Sequence, residues 1–259
     1  MYLSCLLIDV GDDPDRPRPG RLWLRNLYRV HQRLCMAFPS AATISEDADF
    51  LRPFKRQGFG EVHVPRATDA GFLFRIDPQP GGRVVILVQS AASANWDYAF
   101  HNASYLLAAP PQVKSFVPCF AKEQRLRFCL VANATRRIDT KSGPDGRRRH
   151  GKRVPVKADQ LGEWLAGRAE AAGFSIDKDL LTVQPGYIYV NDPERQEPEA
   201  PSSQKGRGYR LFSVRYDGVL TITDSARFQG TLVRGIGPGK AFGLGLLSVA
   251  PAAVPASAP

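Results

Sequence analysis

The chain has 259 residues and is 43% hydrophobic, which supplies two ordinary cores and excludes a disordered chain. No run of 18 apolar residues occurs, which excludes a helical membrane span. The net charge of +10 and the isoelectric point near 9.7 favour an anionic partner.

Met1–Asp9 lacks a basic segment ahead of its apolar residues. It reads as a first strand and not as a signal peptide. A loop rich in Pro and Asp follows, and then an amphipathic helix over Leu22–Phe38, stopped by Pro39. At about 100° per residue, Trp23, Leu27, Val30, Leu34 and Phe38 share one arc of that helix. His31 falls inside the arc and Tyr28 at its edge. Strands are expected at Phe72–Ile76 and Arg83–Gln89, with a short extended piece at Phe116–Phe120.

The pattern then restarts. Gln124–Ala132 alternates as a strand. Ala158–Ala172 is a helix closed by Gly173. Leu181–Val190 and Tyr209–Thr223 are strands, the latter with an expected hairpin turn at Tyr216–Val219. Asp224 caps a short helix to Arg234. A glycine-rich segment, Gly235–Gly245, leads into a last strand, Leu244–Val249. The fold class is therefore α+β, with two tandem ferredoxin-like βαββαβ domains. The expected boundaries are 1–115 and 120–249, with a disordered Pro/Ala tail at 250–259. Cys5, Cys35, Cys119 and Cys129 have no zinc-ligand spacing, so they read as buried reduced thiols of a cytoplasmic protein.

Several chemistries are not encoded. The glycine-rich segment is not a P-loop, because Ala241 follows Lys240 where Ser or Thr is required. No acidic cluster suits a two-metal nuclease, and no nucleophile elbow occurs. No metal site and no cofactor are expected. The helix pair Tyr28 and His31 remains, spaced i, i+3 on one face. RNA brings its own nucleophile, the 2′-hydroxyl, and a cut then needs only a base, an acid and a cation. An imidazole serves as either base or acid near neutrality, and a tyrosine hydroxyl can hold the nucleophile or a phosphate oxygen. From spacing alone, the pair better suits a core histidine beside a stripe-edge tyrosine.

Charge is concentrated in one place. Residues 136–157 hold nine Lys or Arg against two Asp, a net +7 within 22 residues. Arg136, Arg147, Arg148, Arg149, Lys152 and Arg153 are the expected phosphate contacts there. Gly237, Gly239 and Lys240 form a second candidate, since a backbone without side chains approaches phosphates closely. His63 and His101 read as structural, and His150 as RNA-facing or solvated.

Tyr28-Arg-Val-His31 with Ala37-Phe38-Pro39, Leu73-Phe-Arg-Ile-Asp77, Val85-Ile-Leu-Val-Gln-Ser90, and the closing run from Arg234 to Leu247 resemble the CRISPR-associated endoribonucleases of the E subtype. The resemblance covers residues 1–248. Asn133-Ala134-Thr135 departs from it, since the family usually has Asn-Pro-Thr there. It implies metal-independent cutting of the repeat hairpin in precursor CRISPR RNA, leaving a 2′,3′-cyclic phosphate and a 5′-hydroxyl. It assigns catalysis to His31 with Tyr28. It also implies retention of the cut hairpin and assembly with the other subunits of the Cascade surveillance complex, above all its backbone subunit, with no membrane involvement. The alternative is a non-catalytic RNA-binding subunit of such a ribonucleoprotein.

If the basic segment grips phosphates, Arg148→Ala and Lys152→Ala should each lower the slope of log K against log salt by roughly one. Titration of a repeat hairpin at several salt concentrations measures this. An unchanged slope removes the segment from the interface.

Overall fold

The computed structural model describes residues 1–13, 15–38, 71–138, 153–190 and 208–252. The chain packs as two compact units. The first takes residues 1–119 together with 189–210 and 239–246, and the second takes 120–188, 211–238 and 247 onward.

In the first unit, β1 (Tyr2–Asp9) lies between β3 (Arg83–Ser90) and β4 (Gln112–Ser115), and β2 (Phe72–Gln79) pairs with the far side of β3. All pairs are antiparallel and the order is β2-β3-β1-β4, that of a ferredoxin-like sheet. Alternation decides the faces. Leu6 and Ile8 of β1, Phe74 of β2, and Ile86 and Val88 of β3 are wholly buried on the helix side. Each such side chain contributes about 1.5–3 kcal/mol by leaving water.

The expected single helix over 22–38 is two helices, α1 (Pro19–Leu24) and α2 (Leu27–Cys35). Asn26 separates them at φ −114° and ψ 89°, and its side chain accepts from the Arg29 amide at 3.2 Å. Cap chemistry therefore outweighs the continuous apolar period. The next helix is α3 (Trp96–Phe100), followed by a 3-10 turn at Ser104–Leu106. The fourth strand is Gln112–Ser115 and not Phe116–Phe120. Pro118 has no amide to donate, so pairing cannot run on through it.

The second unit repeats the topology. Its main sheet runs β11 (Leu247–Pro251), β5 (Arg125–Ala132), β10 (Tyr209–Ile222), β8 (Phe174–Ile176), and β9 (Thr182–Val190) also pairs with β10. Helices α4 (Leu161–Ala171) and α5 (Ser225–Arg234) cover one face. Leu126, Phe128 and Leu130 pack there with Leu165, Phe174 and Phe228. The Tyr216 hydroxyl donates to the Leu161 carbonyl at 3.2 Å, and burial pushes its phenol well above the ordinary range.

Three sequence expectations change here. No hairpin turn occurs at Tyr216–Val219, because β10 runs unbroken past it. Asp217 pairs with Arg215 at 2.7 Å along the strand, and Gly218 makes room for the Phe128 ring opposite. The tail begins later than residue 250, since Ala250 and Pro251 pair with Arg127 and Leu126 of β5. Cys119 is exposed, and only Cys35 of the four thiols is fully buried. No helix among the described residues is long and apolar enough to cross a membrane.

A Cβ at Gly218 would sit 3.0 Å from the Leu180 carbonyl oxygen and 3.2 Å from the Phe128 ring. Gly218→Val should therefore cost about 1–3 kcal/mol by overpacking, read as a lower midpoint in thermal unfolding. An unchanged midpoint would mean that the strand can shift freely at this point.

Candidate active site

The Asn26 cap starts α2, and Leu27, Val30 and Leu34 bury one stripe of it. His31 lies in that stripe and is only 5% exposed. Its ring stacks over two aromatic rings of β2. The centroid of Phe72 is 5.7 Å away at 31°, and that of Phe74 is 6.4 Å away at 12°. One turn further on, the Cys35 Sγ is 3.6 Å from Nε2 and 3.9 Å from Nδ1 of His31. Such near-equal distances mean that the thiol packs beside the ring and is not aimed along one nitrogen lone pair. Tyr28, one turn earlier, is half-buried on the same side of the helix. The predicted pair is thus held together on one short helix, with Phe72, Phe74 and Cys35 fixing the imidazole. Sequence reading missed those three, although the i, i+4 spacing of His31 and Cys35 was a usable signal.

Two arginines near α2, Arg33 and Arg75, are engaged elsewhere. Arg33 donates to the Ala99 carbonyl at 2.9 Å and to Asn102 Oδ1 at 3.0 Å, and burial lowers its pKa. Arg29 lines a groove with Trp23, Arg33 and Tyr105. Arg75 pairs with Asp77 at 2.9 Å and, by strand alternation, faces away from Phe72 and Phe74.

The glycine-rich segment, expected within the C-terminal domain, is divided between the units. Gly237 belongs to the second, where it lies near Trp164 and Asn133. Gly239 and Lys240 belong to the first. There a 3-10 turn, Lys240–Phe242, comes within 8 Å of both α2 and β2, measured between Cα atoms. The turn can do so because Gly243 adopts φ +79° with its backbone against the Phe74 ring, where a Cβ would meet Cε2 at 3.1 Å.

In the second unit the basic segment springs from a two-stranded ribbon, β6 (Thr135–Arg137) with β7 (Arg153–Pro155). Arg136, Arg137 and Arg153 are exposed. Arg137 stands directly opposite Arg153 in register, and among the described residues neither has a carboxylate within 4.0 Å. Facing like charges destabilise a bare ribbon, and a bound polyanion would relieve that repulsion. Arg137 therefore joins the candidates. By contrast, Arg125 and Arg215 on the main sheet are paired with Asp177 and Asp217. Buried Asn133 anchors the root of the ribbon by donating to the Phe212 carbonyl at 2.7 Å, and Trp164 Nε1 donates to the Thr135 carbonyl at 3.3 Å. Arg147, Arg148, Arg149, His150, Lys152 and His63 lie outside the described residues. His101 is exposed at the end of α3.

The chain is thus a tandem ferredoxin-like protein, with a His/Tyr pair on α2 of the first unit and a basic ribbon on the second. Comparison with known proteins gives the family. A family model described as CRISPR associated protein matches residues 1–251. The chain is 32% identical over 214 residues to the CRISPR-associated endoribonuclease Cse3 of Thermus thermophilus, covering 78% of this chain and 92% of that protein. It is 25% identical over 255 residues to the CRISPR system Cascade subunit CasE of Escherichia coli K12, covering 97% and 100%. The structure of Thermus thermophilus Cse3 bound to an RNA representing a pre-cleavage complex matches with a TM-score of 0.64 at 27% identity, over 96% of this chain and 98% of that one. The chain belongs to the CRISPR-associated protein family, in its Cse3/CasE group.

Phe74 is fully buried and meets both His31 and Gly243. Phe74→Ala should lower stability by about 3–5 kcal/mol, measured by denaturant unfolding. A cost below about 1 kcal/mol would show that the ring is not a keystone of this packing.

Proposed function

We propose that this protein is the endoribonuclease that processes precursor CRISPR RNA, cutting within the repeat hairpin and remaining on the product as a subunit of Cascade. The observation that carries the reading is the Tyr28/His31 pair on α2, with His31 held against Phe72 and Phe74, in a chain of the Cse3/CasE group. The exposed arginines of the β6–β7 ribbon support it by offering a phosphate-binding surface.

His31 takes the proton from the 2′-hydroxyl. The 2′-oxygen bonds to the adjacent phosphorus and the bond from phosphorus to the 5′-oxygen breaks. The departing oxygen leaves with a proton from an acid or from water. The products are a 2′,3′-cyclic phosphate and a 5′-hydroxyl, with no metal ion required. Tyr28, one turn away, holds the nucleophile or a phosphate oxygen. Arg136, Arg137 and Arg153 hold the hairpin backbone, together with Arg147, Arg148, Arg149 and Lys152, while Gly237, Gly239 and Lys240 admit phosphates close to the main chain. The partners are the repeat hairpin and the other Cascade subunits, especially the backbone subunit. The working compartment is the cytoplasm, a reading supported by the RNA substrate and by free thiols.

A second reading is favoured by the burial of His31, only 5% exposed. In that reading His31 is a packing residue and the protein binds the hairpin without cutting it. One assay separates the two. Repeat RNA incubated with excess protein in EDTA should be cut once, and His31→Ala should abolish the cut with affinity changed less than about threefold. Removing a general base alone costs about 10²–10⁴ in rate. Cleavage by His31→Ala at the wild-type rate rejects the assignment, and RNA left intact by the wild type supports the binding subunit.

A further inference from the structure

The solvent side of α1 and α2 carries a groove lined by two arginines and, among the described residues, by no acid. We infer that this groove docks a segment of a neighbouring Cascade subunit that sets one apolar side chain beside a carboxylate. The inference rests on the Cascade reading above and names the surface that would meet the partner.

The groove has a volume of about 470 Å³ and lies wholly within the first unit, between α1, α2 and the 3-10 turn at Ser104–Leu106. Arg29 and Arg33 of α2 stand two residues to either side of His31, about 200° from it around the helix. The groove is therefore separate from the candidate active site. Its floor is apolar. Met36 and Leu106 are buried there, and the Trp23 ring is braced edge-on against Phe100 at 6.0 Å. Its rims are apolar and open, with Leu22 52% exposed and Tyr105 64%. Open apolar rims around a buried apolar floor favour an occupant that fills the space with a hydrocarbon side chain.

The charge of the groove is one-sided. Among the described residues, neither Arg29 nor Arg33 has a carboxylate within 4.0 Å. Arg33 is half-buried, and its acceptors are two neutral oxygens, the Ala99 carbonyl and Asn102 Oδ1. Both are served by Nη1. The edge formed by Nε and Nη2 is left over, and such an edge can hold a carboxylate through two parallel bonds. Burial without a counter-charge lowers the pKa of Arg33, and an incoming carboxylate would offset that cost.

A nucleic-acid strand fits less well. Its phosphates would meet the arginines but leave the apolar floor empty. A stacked base needs an open ring face, whereas Trp23 is packed on Phe100. The occupant that matches both floor and charge is a polypeptide carrying Leu, Met or Phe next to Asp or Glu.

The test uses the full chain and the other Cascade subunits assembled on a guide RNA that lacks the repeat hairpin, so that joining depends on protein contacts alone. Wild-type protein should bind that assembly. Leu22→Glu and Arg29→Glu, both at exposed positions, should each weaken binding about tenfold or more, with the unfolding midpoint and the cutting of repeat RNA unchanged. Arg25→Glu, exposed but outside the groove, should bind as the wild type does. Wild-type protein that does not bind overturns the inference, as does unchanged binding by both groove variants. An equal loss in Arg25→Glu also overturns it, because net charge would then be the cause. Loss of hairpin affinity in Arg29→Glu would make the groove an RNA site, and overturns it too. Wild-type protein that stays out of Cascade even when the guide RNA carries its hairpin fails the Cascade reading itself, and that result is distinct from any of these.

Discussion

Phe74 lies where three parts of the first unit meet. Its ring underlies His31 of α2 at a near-parallel angle of 12°, and the backbone of Gly243 rests against its edge. β2 supplies the floor, α2 the imidazole, and the glycine-rich turn a stretch of bare backbone. The ring is 0% exposed, so this packing is stabilised mainly by removing apolar surface from water. A close-packed junction of this sort defines the positions of the polar groups set into it. The imidazole is an instance, set against Phe72, Phe74 and Cys35.

The candidate residues fall into two sets, one in each unit. The first holds the residues suited to moving a proton, and its buried arginine, Arg75, is already neutralised by Asp77. The second carries its open arginines on the β6–β7 ribbon, with Arg137 facing Arg153. On its main sheet Arg125 and Arg215 are paired, while Arg127 is exposed.

Much of this was legible in the sequence. The repeated βαββαβ order follows from apolar alternation and two amphipathic helices, and both sheets have the strand order that this predicts. His31 was placed in the apolar arc of its helix by periodicity, and it is buried there. Other features depended on contacts distant in sequence. Gly218 reads as a turn locally, but Phe128 on the neighbouring strand needs the space. Asn26 divides a helix whose hydrophobic period runs straight through it. α3 is five residues long and shows no period at all. Nor could spacing along the chain assign Lys240 to the unit of His31, because the glycine-rich segment follows the second unit's last helix.

The central claim is that His31 activates the RNA's own 2′-hydroxyl. The chemistry of the product ends tests it most directly. Repeat RNA cut in EDTA and weighed by mass spectrometry should give one fragment ending in a 2′,3′-cyclic phosphate and another beginning with a 5′-hydroxyl. A 3′-hydroxyl with a 5′-phosphate would mean that water attacked the phosphate, and would contradict the account.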